Sequence, residues 1–309
     1  MPALTRLLAD AEKVDDTGEH NDEDDVRQWL RTPGIDLARG SSGAFTADGE
    51  LLAAGVVMAP EHVRTEDRIH LDGIVHPSAR RRGIGTRLLR WQEERAGDLH
   101  AARFPGLPGE ATLGTAESVA SKIALAAANG YRDIRWWNEM RRDLTAPLPP
   151  VREVPAGLRL QTFTPEWNER TRLAHKAAFA DHFGSTERGP EVWNHWFTSA
   201  NHFKPDQSFL VVHGDEIAAY LLTHFFPAEE AATGRRAAWV GQLGTLAGWR
   251  RRGLGTLLLA HALAAYRAAG YDTADLGVDT ENATGALRLY ERLGFVPIRR
   301  SITSVKPLA

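Results

Sequence analysis

The chain has 309 residues, of which 43% are hydrophobic and 25% are charged, and its formal net charge is −3. These fractions are typical of globular proteins, and the near-neutral charge gives no reason to expect a nucleic-acid partner. The absence of cysteine excludes disulfides, cysteine-ligated zinc and an acyl-cysteine intermediate. The length predicts two domains of ordinary size.

The first residues lack the pattern of a signal peptide, because there is no long apolar run and acidic residues follow from Asp10 onward. No stretch approaches the roughly 18 uninterrupted apolar residues that a membrane-spanning helix needs. We therefore expect a cytoplasmic protein, monomeric or homodimeric, that contacts neither a membrane nor nucleic acid and holds no metal.

Helical and strand patterns alternate along the first half of the chain, which predicts the α/β class. No strand is predicted before the first helix, and residues 97–109, which contain two prolines, are predicted to form a loop. The predicted helices cover residues 3–14, 24–31 and 117–128, with another that ends near residue 96. The predicted strands cover residues 44–46, 50–58, 68–75, 111–113 and 131–142.

A proline-rich linker over residues 145–155 precedes a second half with the same alternation. Its predicted helices end near residues 179, 269 and 293. Its predicted strands cover residues 158–163, 208–213, 216–225, 239–246, 276–279 and 298–305.

A sequence of three arginines and two glycines, Arg250 to Gly255, follows the strand at residues 239–246 and opens a helix. The glycines allow a tight turn without obstructing side chains, and the free N–H groups of a helix N-terminus bind anions. The pattern predicts a pyrophosphate site. A similar loop, Arg80 to Gly85, occurs in the first half, and Gly130-Tyr131 follows it at nearly the spacing that separates the second loop from Gly294-Phe295.

The Arg-x-x-Gly-x-Gly loop, combined with a later Leu-Tyr-x-x-x-Gly-Phe helix, resembles the acetyl-CoA-binding core of the GNAT family of N-acetyltransferases. The resemblance implies two tandem domains, each with a mixed, mostly antiparallel sheet flanked by helices. It assigns residues 1–147 to a degenerate domain and residues 156–309 to a catalytic domain. It also implies acetyl-CoA as the acyl donor and the amine of a small molecule as the acceptor, attacked directly.

The same resemblance assigns the acetyl-CoA contacts to both halves. In the second half they are Leu243, Gly244, Thr245, Arg250, Arg251, Arg252, Gly253, Leu254, Gly255, Thr256 and Asn282. In the first half they are Ile74, Val75, Arg81, Arg82, Gly83, Ile84, Gly85 and Thr86.

Tyr290 occupies the position of the family's general acid, which protonates the leaving thiolate. Counting back from Gly130-Tyr131 places Ala126 at the same position of the first half, so we expect no acid there. Asn282 precedes Tyr290 by one residue more than is usual, which indicates a small insertion. The general base stays open among His182, His195, His224 and Glu281.

The tandem arrangement resembles actinobacterial two-domain acetyltransferases, a group that includes the mycothiol synthases. Four positions that bind the sugar-thiol acceptor in those enzymes carry Gly184, His224, Trp239 and Gly277 here, so we expect a different acceptor. Acetylation of a cysteinyl amino-sugar is kept as an alternative, and so is a non-catalytic acetyl-CoA sensor or scaffold.

Overall fold

The computed structural model describes residues 1–63, 65–180, 188–282 and 285–308. The chain forms two compact units, Met1–Trp137 with Arg299–Ala309 and Asn138–Ile298. Each unit contains its own hydrophobic core. These bounds differ from the ranges 1–147 and 156–309, which stay a prediction about the two repeats. Among the described residues, no helix has the length and apolar character needed to cross a membrane.

The elements alternate as predicted. The helices are α1 (Pro2–Asp15), α2 (Glu23–Leu30), α3 (Leu37–Gly40), α4 (Ile84–Arg103), α5 (Ala120–Ala128), α6 (Asn168–Ala178), α7 (Pro190–Trp193), α8 (Pro227–Thr233), α9 (Leu254–Ala268) and α10 (Ala286–Arg292). The strands are β1 (Ser41–Phe45), β2 (Leu51–Met58), β3 (Asp67–Val75), β4 (Gly109–Ala116), β5 (Arg132–Asp143), β6 (Arg159–Thr162), β7 (Phe209–His213), β8 (Glu216–His224), β9 (Ala237–Thr245), β10 (Thr273–Asp279) and β11 (Val296–Pro307).

Both units have a mixed sheet, which confirms the predicted fold class. In the first unit the strand order is β1-β2-β3-β4-β11, where only β3 and β4 pair in parallel. In the second unit the order is β5-β10-β9-β8-β7-β6, and β9 and β10 form the parallel pair. Helix α4 packs on the first sheet and α9 on the second.

Helix α4 is longer than predicted. Gly97 lies in its interior rather than in a loop, and the helix ends at Arg103. The last turn is held by His100, whose Nδ1 lies 2.9 Å from the buried carboxylate of Asp67 on β3. A tertiary contact therefore offsets the cost of about 1 kcal/mol that a glycine adds to a helix interior.

The pairing of β11 with β4 was not predicted from the sequence. Residues 301–307 of β11 lie antiparallel to residues 110–116 of β4, and Ser304 Oγ donates to Asp133 Oδ1 over 2.6 Å. Lys306 Nζ also lies 2.9 Å from Glu93 Oε2 on α4. Strand β11 thus completes the sheet of the first unit. Helix α8 was not predicted either.

Candidate functional site

Strands β9 and β10 are paired only near their first residues. The parallel pairing ends where Trp239 lies opposite Asp275, although β9 continues to Thr245 and β10 to Asp279. The strands therefore separate beyond Trp239. Backbone groups on this edge of β9, which include those of the predicted contact Leu243 and the N–H of the predicted contact Thr245, are left for an extended ligand, whereas the Thr245 carbonyl accepts from Arg250.

A β-bulge interrupts β9 beside this opening. Leu222 of β8 lies opposite Gln242 and Thr223 lies opposite Val240, so Gly241 is the extra residue. Bulges re-aim the backbone groups around them and are common next to active sites. The bulge thus sets the direction of the N–H groups that follow it on β9.

The loop after β9 contains two residues in the left-handed region, Arg251 with φ 63° and Gly253 with φ 76°. Helix α9 begins at Leu254, and the first N–H groups of a helix have no intrahelical acceptor. Together with the left-handed loop they form a concave site for an anion. The predicted contacts from Gly253 to Thr256 therefore share one turn whose free N–H groups can bind an anion such as the predicted pyrophosphate.

The first unit repeats this turn almost unchanged. Arg81 has φ 63°, Gly83 has φ 79°, and α4 begins at Ile84. Strands β3 and β4 also separate after their last parallel pair, His70 with Thr112. The predicted contacts Ile74 and Val75 lie on the separated part of β3, as Gly244 and Thr245 do on β9.

The first arginine of each triplet fixes its loop to the protein. Arg250 Nε donates to Thr245 O over 3.2 Å, and its Nη2 donates to Ala178 O over 3.0 Å. Arg80 Nε donates to Val75 O, and its two terminal nitrogens lie 2.6 Å from the Asp15 carboxylate oxygens. Arg250 therefore positions the turn through its side chain.

The other arginines of the triplets are exposed. They are Arg81, Arg82, Arg251 and Arg252, and Arg252 lies over the Trp249 ring at 4.8 Å. An exposed guanidinium next to an anion-binding turn can add charge to a bound phosphate.

Close helix packing explains the second glycine of each loop. A Cβ at Gly255 would lie 3.3 Å from Leu289 Cδ2 on α10, and a Cβ at Gly85 would lie 3.4 Å from Leu125 Cδ2 on α5. Leu125 and Leu289 thus occupy equivalent places, so the residues that follow them, Ala126 and Tyr290, are equivalent too. The sequence count that placed Ala126 at the position of the acid agrees with this packing.

Tyr290 is buried on α10, and its ring meets Phe295 edge-on at 5.9 Å. Burial raises the pKa of Tyr290 to about 12, so its hydroxyl stays protonated at neutral pH. Asn282 lies in the turn that precedes α10, where its N–H donates to Asp279 O over 3.2 Å. The described contacts assign it no role toward a ligand.

The four candidates for the general base are not equivalent. His182 lies outside the described residues, as does Gly184. His224 is buried, its Nε2 donates to Phe197 O over 3.1 Å, and burial lowers its pKa to about 4. His195 is half-buried, and burial lowers its pKa too. The backbone N–H of Glu281 donates to Asp279 Oδ1 over 2.9 Å at the end of β10.

A buried polar pair beside Gly244 was missed in the sequence. Tyr220 on β8 shares a 2.7 Å hydrogen bond with His175 Nδ1, and a Cβ at Gly244 would lie 2.6 Å from the Tyr220 hydroxyl oxygen. Only glycine fits there. Tyr220 and Gly244 lie opposite one another in the pairing of β8 with β9, and that pairing could have suggested the contact. The register cannot be predicted from the sequence, however, unless the position of the bulge is known.

A charged group on the same sheet was missed as well. Arg141 on β5 binds both carboxylate oxygens of Asp275, with Nε 3.0 Å from each. Glu229 on α8 lies 3.9 Å from Arg141 Nη2. Arg141, Glu229 and Asp275 are far apart in the sequence, so no local pattern could have identified the group.

Comparison with known proteins agrees with this geometry. The model of the acetyltransferase (GNAT) family matches residues 2–112 and again residues 166–295. The mycothiol acetyltransferase of Frankia casuarinae is 30% identical over 97% of this chain and 92% of its own length. That of Thermobispora bispora is 34% identical over 83% of this chain and 81% of its own length.

A solved structure shows the same fold. It is the GCN5-related N-acetyltransferase from Sphaerobacter thermophilus, with a TM-score of 0.76, 27% identity and coverage of 99% of this chain and 92% of that one. Two family matches, the paired anion-binding turns and a relative of nearly equal length lead to one conclusion. The chain belongs to the GNAT family of acetyltransferases, with two tandem units, and acetyl-CoA is the acyl donor of that family.

Proposed function

We propose that the second unit transfers an acetyl group from acetyl-CoA to the amine of a small molecule by direct attack. One observation supports this above the others: the second unit alone combines a bulged cofactor strand with a tyrosine at the position of the acid. The first unit has an uninterrupted register between β2 and β3 and carries Ala126 instead.

The residues divide the chemistry among them. Backbone N–H groups near Leu243 polarise the thioester carbonyl, and the acceptor nitrogen attacks the carbonyl carbon. Tyr290 donates a hydrogen bond to the sulfur as the C–S bond breaks. Because the pKa of Tyr290 is about 12, full transfer of its proton requires that the proton lost by the acceptor nitrogen replaces it in the same step.

For the first unit we infer binding without turnover. Its anion-binding turn, with Gly83 and Gly85, keeps the geometry of the second, whereas the bulge and the acid are missing. Its contacts with CoA would be those predicted from Arg81 to Thr86 and at Ile74 and Val75.

Release of the CoA thiol from acetyl-CoA tests the proposed function. Glucosamine, kanamycin and spermidine represent amino sugars, aminoglycosides and polyamines, and at least one is expected to accelerate thiol release. Thiol release from none of them, together with CoA binding by calorimetry, would favour the non-catalytic sensor instead.

A second acceptor is supported by the relatives, which are named mycothiol acetyltransferases. The expected acceptor would then be a cysteinyl amino-sugar. Trp239, Gly277 and His224 speak against it, because these side chains offer no charge at positions where the mycothiol synthases use charged or phenolic groups. Turnover of a cysteinyl amino-sugar with a lower KM than glucosamine would decide for it.

A further inference from the structure

A row of polar side chains crosses the second sheet at the last pair before β9 and β10 separate. Trp239 lies opposite His224 on one side and opposite Asp275 on the other. Their neighbours Ala238, Val240, Ala274 and Leu276 pack in the core with α9. Because side chains alternate along a strand, the polar row faces away from α9. His224, Trp239, Asp275 and Arg141 are called the polar row below.

The first unit shows that the fold does not need a carboxylate and a guanidinium at this row of the sheet. At its own last parallel pair, the residues opposite one another are Met58, His70, Thr112 and Val305. None of them carries a carboxylate or a guanidinium. A buried ion pair costs desolvation that an uncharged row avoids, and the equivalent row of the first unit carries no ion pair, so the pair in this row of the second unit indicates a functional role.

Glu229 is the carboxylate that the polar row leaves incompletely neutralised. Asp275 is 1% exposed, and both of its carboxylate oxygens accept hydrogen bonds from Arg141. Glu229 lies 3.9 Å from the same guanidinium. The side chain of Glu229 is 17% exposed, so solvent reaches it. Helix α8 thus presents an accessible carboxylate beside the point where the opening between β9 and β10 begins.

The charges around Glu229 favour its protonated form over that of an ordinary carboxylate. Burial, Asp275 on β10 and Glu139 on β5 raise the pKa of Glu229, while Arg141 on β5 and Arg235 after α8 oppose them. A carboxylate with a raised pKa binds a proton more strongly, which suits a group that removes one from nitrogen.

His224, at the other end of the polar row, has a ring nitrogen that accepts no hydrogen bond from the described residues. Its Nε2–H bonds to Phe197 O, so Nδ1 carries the lone pair. This atom is buried and has no partner among the described residues, and a Cβ at Gly241 would lie 2.5 Å from it. A buried acceptor without a donor is costly. The buried lone pair of His224 therefore lacks a donor among the described residues, and Glu229, beside the opposite end of the polar row, is the acceptor that solvent reaches.

We propose that Glu229 is the general base of the second unit and takes a proton from the ammonium group of the acceptor. The inference rests on the proposed function. One N–H bond of the ammonium breaks and the proton passes to Glu229, which returns it to solvent. The neutral nitrogen then bonds to the carbonyl carbon while the C–S bond breaks, and its second proton replaces the one that Tyr290 gives to the sulfur.

The variant Glu229→Gln keeps the size of the side chain and one acceptor oxygen but cannot accept the proton. With the fastest amine among glucosamine, kanamycin and spermidine, kcat/KM at pH 7 is expected to fall about 10²–10⁴-fold. The acid limb of the pH profile should disappear, and the deficit should shrink at alkaline pH, where the amine is already neutral. Calorimetry should show unchanged CoA binding, which establishes that the variant is folded.

Glu230→Gln is the matched control. Glu230 is the next residue of α8 and lies 3.8 Å from Arg236 Nη1, away from Arg141. Its variant should keep the wild-type profile. A Glu229→Gln profile with the wild-type acid limb, or a deficit equal at every pH, would overturn the assignment of the base. Absence of turnover by the wild type with all three amines would overturn the proposed function itself.

Discussion

In the first unit β3 pairs with β2 without interruption from His70 to Val75, whereas in the second unit β9 carries a bulge at Gly241. Beyond these strands the two units converge again, because Arg81 and Arg251 share a φ of 63° and each turn opens a helix. The left-handed turn to which we assign anion binding thus occurs in both units, and the bulge that we propose directs backbone groups at the thioester occurs only in the second.

A single helix position shows how the first unit holds its regular register. Gln92 of α4 donates through Nε2 to Val56 O over 3.0 Å and to Asp72 O over 2.6 Å, and these two residues are opposite one another on β2 and β3. The equivalent position of α9, counted from the glycine of each turn, is the fully buried Ala262. We infer that an amide supports the unbulged pair and that an alanine leaves room for the bulged one.

The largest effect is expected from blocking one turn at a time. Gly255→Glu places a side chain over the free N–H groups of α9 and against Leu289, so the second unit should lose its CoA and all turnover. Gly85→Glu is the matched variant, because its Cβ meets Leu125 at nearly the same distance. It should remove one CoA from the calorimetric stoichiometry and leave turnover. Unchanged stoichiometry in both variants would contradict the paired sites.

Tyr290→Phe tests whether the Tyr290 hydroxyl accounts for the difference in turnover that we propose between the two units. The change removes one hydroxyl and keeps the ring against Phe295, so CoA affinity should hardly change. Loss of the proton donor should lower kcat about 10²–10⁴-fold when chemistry limits the rate. Ala126→Tyr should restore nothing, because the first unit lacks the bulge as well. Wild-type kcat in Tyr290→Phe would reduce Tyr290 to a packing residue.

His224→Met transplants the side chain of Met58 to the equivalent position. The pKa of His224 is lowered to about 4, below its unfolded value near 6.5, so the unfolded state binds the proton first as pH falls. Wild-type stability should therefore decline relative to the variant from about pH 6.5 down to about pH 4, by roughly 3 kcal/mol. Urea unfolding of both proteins at pH 7 and pH 4 measures it, and parallel pH dependence would argue against a buried neutral His224.

The smallest effect concerns the helices behind the sheets. Gly97 of α4 corresponds to Arg267 of α9, and a Cβ at Gly97 would meet no heavy atom within 4 Å. Gly97→Ala should stabilise the first unit by about 0.5–1 kcal/mol without changing turnover. A shift of the urea midpoint at constant slope checks this. Destabilisation would mean that the glycine meets a steric or conformational demand.

The turns of this molecule could be predicted from the sequence, because residues close to one another in the chain determine them. The Gly253-x-Gly255 turn and its copy in the first unit were predictable because glycine suits both a positive φ, as at Gly253 and Gly83, and close helix packing, as at Gly255 and Gly85. Asp48-Gly49 is a turn sequence typical of hairpins, and the two strands predicted on either side of it pair as β1 and β2.

Other features depend on contacts between distant residues. The extent of α4 is set by His100 meeting Asp67, and the place of Glu229 is set by Arg141. The bulge at Gly241 follows from how β8 and β9 pair, which alternation of side chains leaves open by one residue. Glu229 therefore could not be named beforehand, although His224 was named for its residue type alone.

The pairing of β11 with β4 also sets an order of events during synthesis of the protein. Residues 301–307 supply the antiparallel neighbour of residues 110–116, and they leave the ribosome after all of residues 138–298. Until then, β4 has an unpaired edge where its partner belongs, a feature that invites pairing with other chains. The second unit, by contrast, consists of residues 138–298 and is complete when they have emerged. The later repeat therefore finishes folding before the earlier one.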